Sequence, residues 1–107
     1  MPADGRTLYI AGMVSMTRDG LMELGFEAQH RRIWFNTLEI LKEAGMGVID
    51  IIKLNVYSLA PKDIFQVSEG RKEFLGDQKT PSTFCAVVGL ARPEMLVEME
   101  TIAAKSG

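Results

Sequence analysis

A single cysteine, Cys85, stands among 107 residues, so no disulfide can form within the chain and a disulfide-stapled scaffold is excluded. That usage fits a reducing compartment. Histidine is as scarce: His30 is the only one, and without further His or Cys ligands a metal site is not expected. No apolar run approaches the roughly 18 residues of a membrane-spanning helix, so no membrane partner is expected. The opening MPADGRT has no cationic segment followed by an apolar core. No signal peptide is apparent, and the cytoplasm is the expected location. Positive charge is not in excess either. Twelve Lys and Arg against fourteen Asp and Glu give a formal net charge of -2, and a chain of that balance lacks the basic footprint of a nucleic-acid partner. Repeats, low-complexity tracts and linkers are also missing, which leaves one folding unit across residues 1–107.

What is present is strongly patterned. Thr7 to Val14, TLYIAGMV, is rich in β-branched and aromatic residues and predicts a buried strand. Gly12 inside it marks either a bulge or a place where something approaches the backbone closely. Arg18-Asp19-Gly20 predicts a turn, closing a short hairpin over Met13 to Met22. From Phe26 to Ala44 the period becomes helical, with Ile33, Trp34, Thr37, Leu38, Leu41 and Ala44 on one apolar stripe and Gly45 as the C-terminal cap. Phe35 and Ile40 fall off that stripe. A strand follows over Ile52 to Tyr57, where Ile52, Leu54 and Val56 alternate with Lys53, Asn55 and Tyr57, and Asp50 ahead of it closes a short turn. Ala60-Pro61 stops the strand. A second helix runs from Ile64 to Leu75 on Ile64, Val67, Arg71, Phe74 and Leu75, with Gly70 weakening its centre.

The last stretch, Thr80 to Ala103, has two apolar runs around the break GLARPE, which predicts a terminal antiparallel hairpin. In its second run Glu98 and Glu100 alternate with apolar residues, so both carboxylates project from one sheet face about 7 Å apart. Beside the Ser82-Thr83 pair on the expected neighbouring strand, they are either a site of chemistry or polar decoration of a solvated face. The element order predicts an α+β fold: a mixed sheet with two helices on one face and the other face covered by further copies of the chain. The remaining candidates lean structural. His30 is expected to be structural or exposed, Cys85 a small buried hydrophobe, the seven methionines gap-filling core, and Arg92 solvated in the hairpin loop.

These segments together resemble the RidA/YjgF family. GRTLYIAGMV is similar to that family's early strand, written close to GNLLFVSGQI. QHRRIWFNTLEILKEAG resembles its first helix, and DIIKLNVYSL its DVVKTTVFL strand. GLARPEMLVEMETIA is close to its GLPRPELLVEIEAIA. The resemblance covers nearly the whole chain and implies a chorismate-mutase-like fold forming a homotrimer, with ligand clefts between subunits. It implies hydrolysis of reactive enamines or imines, without a cofactor. Glu98 matches the family glutamate that holds the attacking water, and Glu100 becomes a structural or subunit-contact residue.

Three positions depart from the family. Its deaminases carry a carboxylate-clamping arginine in a context such as PARTTV, whereas TPSTFC here places Ser82 at that position, and a slip of one brings Pro81 or Thr83. Neither hydroxyl can replace a bidentate guanidinium. The early GPYSQ segment has no counterpart, so the N-terminal strand is expected to be shortened or missing, and Ser68 stands where an asparagine is common on the second helix. Two functions follow from this pattern. One is an imine or enamine hydrolase with Glu98 catalytic and Gly12, Ser82 and Thr83 binding substrate. The alternative is a non-catalytic small-molecule-binding or regulatory trimer. A ribonuclease, the name given to some relatives, finds no support: there is no basic patch with interleaved aromatics and no histidine pair.

Overall fold

The computed structural model describes residues 5–13, 22 and 24–106. Its elements are β1 (Gly5–Met13), α1 (Phe26–Glu43), β2 (Ile51–Ser58), α2 (Ile64–Leu75), β3 (Ser82–Ala86) and β4 (Val97–Ser106). Single 3-10 turns at Val48–Asp50 and Pro61–Asp63 lead into β2 and α2. The expected turn at Arg18-Asp19-Gly20 lies outside the described residues.

The helix over residues 26–43 forms on its predicted stripe. Ile33, Trp34, Thr37 and Leu41 are buried, with Leu38 and Ala44 partly buried against the same core. It ends at Gly45, whose φ of 73° is left-handed and suits a residue without Cβ. Met46 N–H then donates to the Leu41 carbonyl at 2.8 Å and Gly45 N–H to Lys42 at 3.0 Å. This is the Schellman pattern, which satisfies carbonyls that a helix end leaves unpaired. Arg6 and Lys105, from the paired strands β1 and β4, donate to the Ala44 and Gly45 carbonyls at 3.1 and 2.8 Å, where cations also suit the helix dipole. Asp50 closes its turn as expected, accepting from Gly47 N–H at 2.9 Å.

Four strands make one mixed sheet in the order β1-β4-β2-β3. β2 and β3 are parallel, joined through α2, while β4 runs antiparallel to both β1 and β2. One face carries Ile10, Leu54, Val56, Val97, Met99 and Ala103 into a single core with Ile33, Trp34 and Leu41 of α1 and Val67 and Leu75 of α2. The sheet with two helices on one face is therefore the predicted α+β architecture.

The terminal hairpin is not. β3 and β4 are opposed in direction, but β2 lies between them: Ser58 pairs with Ala86 on one side and Val97 on the other. The connection from residue 87 to 96 steps over the end of β2, starting with Val87 N–H donating to the Ser58 carbonyl at 2.7 Å. Its far end is pinned by a side chain that sequence inspection overlooked. Gln29 of α1 is buried, donates through Nε2 to the Glu94 carbonyl and accepts from Leu96 N–H, both at 2.8 Å. A ten-residue break is long enough to cross one strand, and this clamp holds the crossing in place.

Two bulges also reset the alternation. Between the pairs Ile10–Thr101 and Met13–Met99, three steps of β1 match two of β4. That bulge spans Ala11 and Gly12, so the strand glycine does sit at a bulge. A second lies at Ile52, between Ile51–Ala103 and Lys53–Ile102. It turns Ile52 outward, 42 % exposed, and makes Ile51 the buried residue, so the predicted Ile52-Leu54-Val56 face loses its first member.

Candidate active site on the open sheet face

The face of the sheet turned away from the helices carries most of the candidate residues. On β4 the buried residues Val97, Met99, Thr101 and Ala103 point into the core, which turns the residues between them, Glu98, Glu100, Ile102 and Ala104, to the open side. Pairing then builds rows across the sheet. Glu98 is opposite Tyr57, which is opposite Cys85; Glu100 is opposite Asn55, which is opposite Thr83. Lys53 stands beside Ile102 and donates from Nζ to Thr83 Oγ1 at 2.7 Å.

The two glutamates differ in surroundings. Tyr57 donates its phenol to Glu100 Oε1 at 2.6 Å. That hydrogen bond, with lesser help from burial and neighbouring negative charge, pushes the phenol pKa up from 10.0 to about 12. The proton is held because the phenolate would face a carboxylate. Glu98, one row away, makes no side-chain hydrogen bond or ion pair among the described residues. Glu100 also borders a depression of about 200 Å³ with Tyr9, Ala11, Asn55 and Ile102, next to the bulge that contains Gly12.

The other predicted site residues separate. Thr83 shares the open face, but Ser82 is paired with Leu54, whose side chain is buried, so Ser82 belongs to the helix side of the sheet. Position 83 is the one that faces the glutamates' side. Thr83 and Glu98 are still two strands apart, about 10 Å of sheet width, and within one chain they do not meet. Cys85 is exposed on the open face instead of buried, because β3 is an edge strand whose outer row no described residue covers. Arg92 stays within its loop, paired with Glu94 at 2.6 Å. His30 is buried between α1 and α2, its ring against Gly70 and 4 % exposed.

Lys53, Asn55 and Tyr57 were not singled out from the sequence as site residues. Their period-2 alternation was visible, but only the β2–β4 register shows that it is in step with Glu98 and Glu100. Among the described residues no three His, Cys, Asp or Glu side chains converge as a metal would require, and no helix is long and apolar enough to cross a membrane.

Comparison with known proteins agrees with this architecture. The family model described as Endoribonuclease L-PSP matches residues 3–105. A RutC family protein of Pyrococcus horikoshii is 31 % identical over 103 residues, covering 94 % of this chain and 81 % of that protein. Among solved structures, RidA from the Antarctic bacterium Psychrobacter sp. matches with a TM-score of 0.85 at 26 % identity, over 91 % of this chain and 79 % of that one. A Rid family protein from Yersinia pestis matches with a TM-score of 0.87 at 28 % identity, over 98 % and 83 %.

Proposed function

This chain belongs to the RidA/YjgF (endoribonuclease L-PSP) family, and from that premise we propose that it is a cytoplasmic homotrimer that hydrolyses a reactive imine or enamine. The open sheet faces pack together, and the catalytic cleft forms between subunits. The observation that carries this reading is the unequal pair on β4. Glu100 is occupied by the Tyr57 phenol, which leaves Glu98 as the carboxylate available to hold water.

The chemistry follows from that role. Protonation of an enamine at carbon gives an iminium, and water adds to its carbon as the C=N π pair moves to nitrogen. Glu98 takes the proton that the water loses and returns it to the amine nitrogen. The hydroxyl then gives its proton to the freed Glu98 carboxylate as the carbonyl forms and the C–N bond breaks, and ammonia leaves. The cation-bearing row of the face, Lys53 hydrogen-bonded to Thr83, supplies positive charge where no arginine stands at residue 82 or 83. An ammonium attracts a carboxylate but cannot clamp it bidentately, so orientation is weaker than with a guanidinium. The missing arginine also supports a second reading, a trimer that binds a small molecule in the same cleft without turnover. Ribonuclease chemistry gains nothing from this face, since the one histidine is buried between the two helices.

The test is ammonia release from imines generated in situ, one carboxylated and one uncharged, with oligomeric state measured in parallel. The hydrolase reading expects turnover that falls at least about 100-fold in Glu98→Ala, in the range that general acid–base groups contribute. Turnover that survives Glu98→Ala overturns the glutamate-water mechanism. Saturable binding without any ammonia release moves the protein to the second reading.

A further inference from the structure

Away from the sheet face, α1 and α2 enclose a cavity of about 340 Å³, within the size range of small-ligand sites. Every residue that lines it belongs to these two helices, so the helix layer separates it from the open sheet face. Its walls hold Glu27, Glu69 and Glu73 against a single guanidinium, Arg31. Arg31 is already committed: its Nη1 reaches both Glu73 oxygens at 2.5 Å. Glu27 and Glu69 make no hydrogen bond or ion pair among the described residues, which leaves two uncompensated carboxylates in one groove.

An acidic groove alone is only a solvated surface, but this one has His30 in its wall. The side chain is 4 % exposed, and its ring nitrogens have no hydrogen-bond partner among the described residues. The ring lies against Gly70, another wall residue, so close that a Cβ there would stand 2.4 Å from Cε1 and 2.7 Å from Nδ1. Burial lowers the His30 pKa from 6.5 to about 4, against the opposing pull of Glu73. At neutral pH the ring is therefore uncharged, with one nitrogen as acceptor.

We propose that this groove binds a small organic cation whose ammonium or amidinium groups pair with the separate carboxylates of Glu27 and Glu69, with a further N–H donated to the His30 ring. Among the described residues no three acidic or imidazole groups lie close enough to share a metal ion. A molecule that spans separate acceptors suits the groove better than a bare ion. The neutral imidazole matters for the same reason, because a protonated ring would repel the ligand it is placed to meet.

The experiment is a titration of the isotope-labelled full chain with 1,4-diaminobutane, followed by NMR at the Gly70 amide and the His30 ring. The expected result is a saturable displacement of both signals, with the Kd weakened about tenfold in each of Glu27→Gln and Glu69→Gln as one charge-assisted hydrogen bond is lost. Glu43→Gln, at the far end of α1, leaves the Kd unchanged. Displacements that do not saturate, that sodium chloride reproduces at equal ionic strength, or that persist in the Glu27→Gln/Glu69→Gln double variant overturn the proposal. None of these outcomes depends on turnover at the sheet face.

Discussion

The His30 ring occupies the space that any side chain at residue 70 would need, with Cε1 only 2.4 Å from where a Cβ would stand. This explains a glycine in the middle of α2, where helix propensity alone favours alanine by about 1 kcal/mol. Gly70→Ala is expected to destabilise the fold by about 1–3 kcal/mol, the usual cost of overpacking, despite its better propensity. In a His30→Ala background the same substitution should become neutral or stabilising. A double-mutant cycle by chemical denaturation measures that change of sign; equal effects in the two backgrounds would remove the clash as the cause.

The same ring sets a pH dependence of stability. Its folded pKa is depressed from 6.5 to about 4, so between those values the unfolded chain takes up a proton that the folded one refuses. The contribution of neutral His30 is complete above about pH 6.5 and is lost progressively as the pH falls toward 4. The slope is up to about 1.4 kcal/mol per pH unit. Denaturation midpoints collected across that window should show it, and His30→Gln should flatten it. An unchanged slope in the variant would assign the acid sensitivity to other groups.

Tyr57 and Glu100 make a second titration prediction, at the alkaline end. The phenol is raised to about 12 chiefly by its hydrogen bond to the carboxylate. Its stabilising contribution is therefore present below pH 10 and is lost as the pH rises toward 12. Ultraviolet titration of the phenolate should show one late-ionising tyrosine, and Glu100→Gln should bring it back toward 10. No movement in that variant would mean that burial, the lesser cause, holds the proton.

Because β3 alternates, a guanidinium added at residue 82 and one added at residue 83 point to opposite faces of the sheet. Thr83→Arg places a cation beside Lys53 on the face of Glu98 and Glu100, whereas Ser82→Arg places it on the helix side. For a carboxylated imine, Thr83→Arg is expected to raise kcat/KM about tenfold or more, the worth of a charge-assisted pair, and Ser82→Arg to leave it unchanged. Steady-state ammonia release compares the two. The reverse ranking would mean that the ligand does not approach from the open face.

The periodic features of the chain were legible in its sequence because they are local. The stripe from Ile33 to Ala44, the cap at Gly45, the strand stop at Ala60-Pro61 and the alternation of Glu98 and Glu100 each depend on neighbours a few residues away. Family resemblance of the same segments carried the fold class. Where sequence inspection failed, the deciding contact was distant. Ser82 was expected beside Glu98, yet pairing with Leu54, 28 residues earlier, turned it to the other face and left Thr83 on the glutamates' side. Cys85 looked like a core residue, but β3 became an edge strand. β3 and β4 looked like a hairpin, but Gln29, 67 residues before Leu96, holds a connection that crosses β2.

Glu98 and Glu100 show the division most clearly. The sequence alone determined that they share a face, since alternation fixes the two sides of a strand relative to each other. Only the tertiary structure decided which side is open, that Tyr57 reaches Glu100 and not Glu98, and that Lys53 rather than Ser82 shares the face. Those facts depend on hydrogen-bond register between segments whose contacting residues are 30 and 43 positions apart. A slip of one residue would exchange every side chain between core and surface, and no local pattern can specify that register.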